Sequence, residues 1–539
     1  MSQPTQLIEN ISASYDHVPY ASNPFHQTHP DYLRAVSTLF DVPTVAVSNA
    51  NILEIGCSFG GNILPLAQQY PDANIIGLDL SAEQIRLGQQ AVVAMGLNNI
   101  QLQQQDINNY TPPAQHFDYI ICHGVYSWVP EFVREAILRV ISEGLAPNGV
   151  AIVSYNTYPG WKIKEVYRDM MQFRSQDIHD VLDKIRYGRG MLNFLKEHLP
   201  TNSPWQLAIE QNHDHIDKAD PSYLAHEYFE LVNDPCYFHE FMESAQQCSL
   251  GFVAEAEFGS MLSPSIPDAA KKALLAECGN DVVKLEQFYD FLTNRTFRQS
   301  ILTRSDSSQE ARHPQLGIRN EALLNLHIQG QFTLEASPTD STKKVQAESD
   351  NVWRSLKNSH AKFKDNTLSQ WFFKRINAAN GKSLAISELW DAAQLELPKT
   401  IKQTDFMQLV FDIIVYGAVN IRSQALTWSD VDITKPCIST SNRALFALTQ
   451  KYPKTLGLTT AWHNAFQGNL ADAELLPLLD GARNRDDLAK VLIDAVSARR
   501  ILFHDAKQKP ITTAKKISGA AYEHVDKLIY ALQYNGMLC

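Results

Sequence analysis

The segment Leu53-Glu54-Ile55-Gly56-Cys57-Ser58-Phe59-Gly60-Gly61-Asn62 joins an apolar run to a glycine-rich turn that opens a helix-forming stretch. A second apolar run follows and ends in Gly77-Leu78-Asp79-Leu80. Strand, helix and strand in this order form the unit of a parallel α/β sheet. The turn points backbone N–H groups at an anion from a helix N-terminus. The acid at the tip of the second strand is placed to accept hydrogen bonds from a ribose diol. Three residues separate Gly56 from Gly60, and a glutamate precedes them, so the spacing is E-x-G-x-x-x-G. The dinucleotide fingerprint G-x-G-x-x-G does not fit.

The alternation continues to Tyr155. Ile52–Ile55, Asn74–Leu80, Ile100–Gln105, Phe117–Cys122 and Val150–Tyr155 read as strands. Pro65 falls in the opening turns of the helix after Gly60, where its missing N–H is tolerated. Ser81-Ala82-Glu83-Gln84 is a capping box, and Ile85, Ala91, Val92 and Met95 supply the buried face of the helix it starts. Ligands of open α/β sheets bind beyond the carboxyl ends of the strands. The loop after the fourth strand, His123-Gly124-Val125-Tyr126-Ser127-Trp128-Val129-Pro130, therefore falls on the reacting edge. So does the stretch Ser154-Tyr155-Asn156-Thr157-Tyr158-Pro159-Gly160-Trp161-Lys162. Upstream, Ser14–Tyr20 and Phe25–Pro30 are also rich in aromatics and histidines.

Composition sets outer limits. At 539 residues the chain holds roughly three domains, taking about 150 residues for each. Beyond about Arg174 the pattern turns helical, and amphipathic segments recur from about Asn351. No apolar run approaches the ~20 residues of a membrane span, and Met1–Asn10 lacks the pattern of a secretory signal. The seven cysteines are scattered, with no C-x-x-C pair, which reads as reduced thiols in a cytoplasmic protein. A net charge of −12 disfavours a nucleic-acid partner and is compatible with a basic one. His213-Asp214-His215, His226 and His239 fit no H-E-x-x-H arrangement, and no metal site is expected.

The E-x-G-x-x-x-G turn, Asp79, Asp106-Ile107 and the L-x-P-x-G turn Leu145–Gly149 resemble, in order, the landmarks of class I S-adenosylmethionine (SAM) methyltransferases. That resemblance implies a Rossmann-like α/β domain with SAM as cofactor. It implies that Glu54 bonds the ligand's ammonium and that Gly56 and Gly60 allow close backbone approach. Asp79, beside Leu80, takes the ribose hydroxyls, and Asp106 and Ile107 flank adenine. Cys57 and Asn62 complete the loop contacts. His123 stands at the end of the fourth strand, above which the methyl group lies. Cys57 and Cys122 also read simply as small buried residues.

The aromatic flanks resemble a narrower family: bacterial class I protein lysine methyltransferases of the rickettsial type that modify outer-membrane proteins. His226-Glu227-Tyr228-Phe229-Glu230, Asn233-Asp234-Pro235 and Tyr237-Phe238-His239-Glu240-Phe241 resemble its middle, methyltransferase regulatory domain. Glu286–Phe291 and Asn294-Arg295-Thr296-Phe297-Arg298 continue that pattern, and Leu475–Gly481 with Arg483-Asn484-Arg485 resembles its winged-helix-like end. The implied domains are a methyltransferase domain over 1–174, a helical middle domain over 175–335 and a mainly helical, winged-helix-like domain over 336–539. The implied reaction is methyl transfer to lysine side chains of a protein substrate, with the accessory domains shaping a cleft or a homodimer.

A lysine amine must arrive neutral, and an apolar channel favours that form by desolvation. Aromatic faces can still hold the cationic sulfonium. Tyr15, Tyr20, Tyr126, Trp128, Tyr155 and Tyr158 are the candidates for the wall, and His29 and His123 could assist with the proton. Two rivals stay open: a small-molecule or natural-product methyltransferase, since the glycine motif is shared, and a SAM-binding regulatory protein without turnover.

Overall fold

The structure is a computed structural model that describes residues 22–262, 266–305, 318, 320–336, 351–428, 431–452 and 455–539. Its central sheet contains β1 (Asn51–Ile55), β2 (Asn74–Asp79), β3 (Ile100–Gln104), β4 (Phe117–Cys122), β5 (Leu145–Asn156), β6 (Leu250–Glu255) and β7 (Phe297–Arg304). They lie in the order β3-β2-β1-β4-β5-β7-β6. β1 runs parallel to both β2 and β4, with Glu54 opposite Gly77 on one side and Ile121 on the other. β5 is parallel to β4, whereas β7 is antiparallel to both β5 and β6. The strand order reverses between β1 and β4, and such a switch point leaves a crevice at the carboxyl ends. Glu54 stands there.

Side-chain alternation along the strands sorts the core into two layers. Ile52, Ile75, Tyr119, Ile121 and Ile152 face α1 (Pro30–Leu39), α2 (Leu64–Gln69) and α3 (Ala82–Met95). Leu53, Leu78, Ile120, Cys122 and Val153 face α4 (Glu131–Gly144). Local signals start the helices where expected. Pro65 sits in the first turn of α2, and the Ser81 hydroxyl accepts the Gln84 N–H at 3.1 Å to cap α3.

After β5 the chain turns helical. α5 (Trp161–Arg174), α6 (Val181–His198), α7 (Pro204–Lys218) and α8 (Pro221–Phe229) pack around Tyr167, Met171, Ile185, Leu192 and Tyr228. The middle segment is mainly helical, and it also supplies β6 and β7 to the catalytic sheet. The sheet thus crosses the expected boundary at 174/175, because β5 finds its second partner in residues 297–304. Between those strands lie α9 (Phe238–Gln247) and α10 (Val282–Thr293).

The remaining chain is mainly helical, with two small antiparallel sheets. One joins Phe332–Glu335, Val352–Ser355 and Lys362–Lys364; the other sets His327–Gln329 between Leu384–Ala385 and Asn420–Arg422. This region docks on the helices of the catalytic sheet. Ser423 N–H donates to the Asp31 carboxylate at 3.0 Å, Gln68 Nε2 to Ser439 Oγ at 3.0 Å, and Ser441 Oγ to Met95 O at 2.7 Å. Among the described residues no helix is long and apolar enough to cross a membrane.

Candidate active site

A cavity of about 560 Å³ opens at the carboxyl ends of β1, β2 and β4. Glu54, Gly56, Cys57, Asn62, Asp79 and Leu80 line its inner part, and Asp106, Ile107, His123 and Trp128 line its sides. These ten come from four turns, each at a strand end, which is why sequence spacing alone reaches them.

Backbone geometry fits the inner part to a ligand. Gly56 has φ +76°, and a Cβ there would meet Val125 Cγ2 at 2.3 Å. Gly56 and Cys57 both donate their N–H to Leu78 O, at 2.8 and 3.0 Å, tying the turn to the tip of β2. Asp79 is fixed by the N–H groups of Ser58 (2.8 Å) and Ser81 (2.9 Å). A carboxylate has about four lone-pair sites, so hydroxyl donors can still be received. Glu54 is 4% exposed; its Oε1 accepts from Asn62 Nδ2 at 2.7 Å, and its Oε2 has no hydrogen-bond partner. Burial pushes this carboxyl up to about 8; the Asn62 bond opposes the rise and Asp79 adds to it. A buried acceptor without a donor, in a cavity with a ribose-type acid nearby, fits the ammonium of SAM. Asp106 caps a short turn by accepting from Asn108 N–H at 3.0 Å, with Ile107 beside it.

Burial also raises the thiols of Cys57, well above the ordinary value, and of Cys122, to about 12. His123 packs on Phe25, with ring centroids 4.2 Å apart, and its Nδ1 has no partner. Burial lowers its pKa to about 4, so the ring is neutral at pH 7. Trp128 meets Trp161 edge-on at 6.2 Å.

Several expected residues are placed elsewhere. Gly60 (φ +84°) shapes the turn but packs on Leu64 and Leu102. His29 is fully buried, and its Nδ1 accepts from Asp31 N–H at 3.1 Å to cap α1, so it is a helix cap behind the cavity. Tyr155 points away from the cavity into the α4 layer, stacks on Phe241 at 4.1 Å and bonds Ser300 Oγ at 3.0 Å. Tyr126 and Tyr158 do not line the cavity either. Tyr15 and Tyr20 lie outside the described residues.

The cavity also has walls beyond the site residues named from the sequence, although Trp161 belongs to the stretch placed on the reacting edge. Phe25 and Phe297 flank His123, α5 contributes Trp161 and Lys164, and α8 with the residue that follows it contributes Tyr223, His226, Glu227 and Glu230. Lys164 Nζ stands 3.1 Å from Glu227 Oε1 and 4.8 Å from the centroid of the Trp161 ring system. His226 Nδ1 and Glu230 Oε1 are 2.6 Å apart. The available signal was the motif His226–Glu230 itself, which closes α8 and places Glu227 on its last turn and Glu230 just after it. Among the described residues no cluster of three His, Cys, Asp or Glu side chains could hold a metal ion.

The reversed parallel sheet, antiparallel β7 and a glycine turn facing an acid at β2 define a class I SAM-dependent methyltransferase. Comparison with known proteins narrows this. Family models match three parts of the chain: a methyltransferase domain over 52–149, a predicted methyltransferase regulatory domain over 220–304 and a PKMT C-terminal winged helix domain over 436–537. The uncharacterized protein RP028 of Rickettsia prowazekii is 38% identical over 235 residues, 43% of this chain and 94% of its own length. RP789 of the same organism is 39% identical over 293 residues, 54% of this chain, so the match spans about half (53%) of that relative. The structure of PKMT2 from Rickettsia typhi, in complex with AdoHcy, superposes with a TM-score of 0.83 at 27% identity, covering 96% of this chain and 100% of PKMT2. The chain belongs to the bacterial class I SAM-dependent protein lysine methyltransferase family, with its regulatory and winged-helix domains.

Proposed function

We propose that this chain transfers methyl groups from SAM to lysine side chains of protein substrates in the cytoplasm, with outer-membrane proteins the substrate class. The observation that carries this reading is that one cavity is lined both by Glu54 and Asp79 and by Trp128, Trp161 and the acids Glu227 and Glu230 of the regulatory segment. SAM supplies a methyl group activated by its positive sulfonium. Glu54 Oε2 holds the ammonium of the amino-acid end, Asp79 the ribose hydroxyls, and Asp106 with Ile107 the adenine edge. Glu227, paired with Lys164, and Glu230, bonded to His226, border the cavity on the side of the regulatory segment, and the aromatic walls Trp128 and Trp161 strip water from an entering amine. A free lysine has a pKa of about 10.4, and desolvation shifts it toward the neutral nucleophile. The proton leaves to solvent. His123, held neutral, adds no charge against the sulfonium. The protein's main contribution is to hold amine and methyl in line at near-attack distance.

The test is incubation with radiolabelled SAM and fractionated cell protein, followed by peptide mapping. Label on lysine Nε of protein is expected. Label confined to carboxylates, nucleic acid or a small metabolite would sink the lysine reading.

A further inference from the structure

We propose that His463, from the C-terminal region, is a positioning residue for SAM that acts through Asn62 on Glu54. The inference rests on the reading of Glu54 as the anchor of the ligand's ammonium.

The argument starts at the Asn62 side chain, which is 4% exposed. Its Oδ1 lies 3.0 Å from Phe25 N, 3.1 Å from Thr28 Oγ1 and 2.9 Å from His463 Nε2. A backbone N–H can only donate, so this corner of the amide is its oxygen. The amide nitrogen is thereby turned toward Glu54 and donates to Oε1 at 2.7 Å. With Oε1 engaged, Oε2 is the oxygen left for a ligand. His463 must then donate from Nε2, which fixes its tautomer.

His463 is 401 residues away from Asn62 in sequence and is delivered by a tight loop. Its backbone is left-handed, with φ +62°, a conformation that non-glycine residues keep only when the surroundings impose it. Thr460 O accepts the His463 N–H at 2.9 Å, and Thr460 N–H donates to Asn464 O at 2.9 Å. Buried Arg422 donates to Trp462 O at 3.2 Å and lies over the Trp462 ring. The same charge, after burial itself and together with His26, holds His463 well below the usual histidine range, so it is the neutral donor. The ring of His29 packs edge-on at 5.0 Å. The loop therefore presents one neutral N–H, at 1% exposure, to the one amide that orients the anchor acid.

The test measures SAM affinity against pH in the full chain by calorimetry. His463→Phe and His463→Leu both remove the donor. Each should weaken SAM binding about five- to tenfold at pH 7. Each should also move the pH midpoint for binding upward, because a loosened Asn62 supports the Glu54 carboxylate less well. The groups facing Glu54 are Asp79, Cys57 and Cys122, and they are unchanged in these variants. His463→Gln, which keeps an N–H donor, should stay within about twofold of the parent. Circular dichroism checks the fold of each variant. A folded loss variant with parental affinity and midpoint overturns the proposal. Glu54→Gln is run in parallel: if it too leaves affinity unchanged, the anchor reading itself fails and the proposal falls with it. If only Glu54→Gln weakens binding, the anchor stands and the His463 role is rejected.

Discussion

Glu54 waits in the wrong protonation state for its ligand. With its pKa raised to about 8, it is largely a neutral acid at pH 7, and a cationic ammonium favours its carboxylate. Binding therefore releases a proton, and affinity should climb about tenfold per pH unit up to about pH 8. Above that the ligand's own amine, near 7.7–8.0 for an ordinary α-amino group, begins to lose its charge, so the optimum lies near pH 8. Calorimetry in buffers of different ionisation enthalpy reads both the slope and the released proton. Asp79→Ala should cost roughly 1.5–3 kcal/mol of SAM binding, about tenfold or more, through lost charge-assisted hydrogen bonds. These two acids were legible because each sits at a fixed offset from a local glycine turn. His29 and Tyr155 were not. The role of His29 follows from the cap of α1, and the direction of Tyr155 from strand alternation in β5, neither of which its aromatic neighbourhood reveals.

At the scale of elements, the middle-domain motifs divide into two tasks. The His226–Glu230 motif lies on the C-terminal end of α8 and just beyond it, and faces the cavity. Glu286–Phe291 and Asn294–Arg298 instead build a buried ion network that joins α10 to β7. The Arg298 guanidinium bonds Glu255 at 2.7 Å, Glu286 at 3.0 Å and Asp290 at 2.8 Å, and stacks on Phe238 at 3.8 Å. Burial alone would raise the Glu255 carboxyl, but Arg298 and Arg295 hold it below its usual value. Arg298→Ala leaves three acids crowded around a missing charge and should cost about 3–5 kcal/mol, read by urea unfolding. Trp128→Ala touches only the aromatic wall. It should lower turnover roughly 5- to 30-fold, for about 1–2 kcal/mol of lost contact with the transferring cation, while SAM affinity changes little. Reading β6 and β7 required knowing their partner: Ile301 pairs with Ile152, far back in the chain, and a short apolar run between helices shows no period that identifies it.

For the molecule as a whole, the C-terminal region is built into the catalytic half. One continuous apolar core contains Tyr32, Leu33 and Val36 of α1 together with Leu323, Ile328 and Phe332, and the Asp31 carboxylate receives Ser423 across the same contact. Removing residues beyond 305 should therefore expose that face and abolish SAM binding along with protein methylation. A folded, monomeric 1–305 fragment with parental SAM affinity would contradict this. The order of the three domains could be read from local motifs. Their interlocking could not, because it rests on contacts between residues hundreds of positions apart.

The sheet is also completed late in time. As the chain leaves the ribosome, β1 to β5 emerge first, and β5 carries Val150–Val153, fully buried in the finished protein, along an edge with no partner. That partner ends at Arg304, and at ~5–20 residues per second the wait from Arg174 is on the order of ten seconds. An unpaired apolar edge is a template for pairing with other chains. Nascent chains arrested before β7 emerges should therefore bind a holding chaperone and resist solubilisation when released, whereas released full-length chains should not.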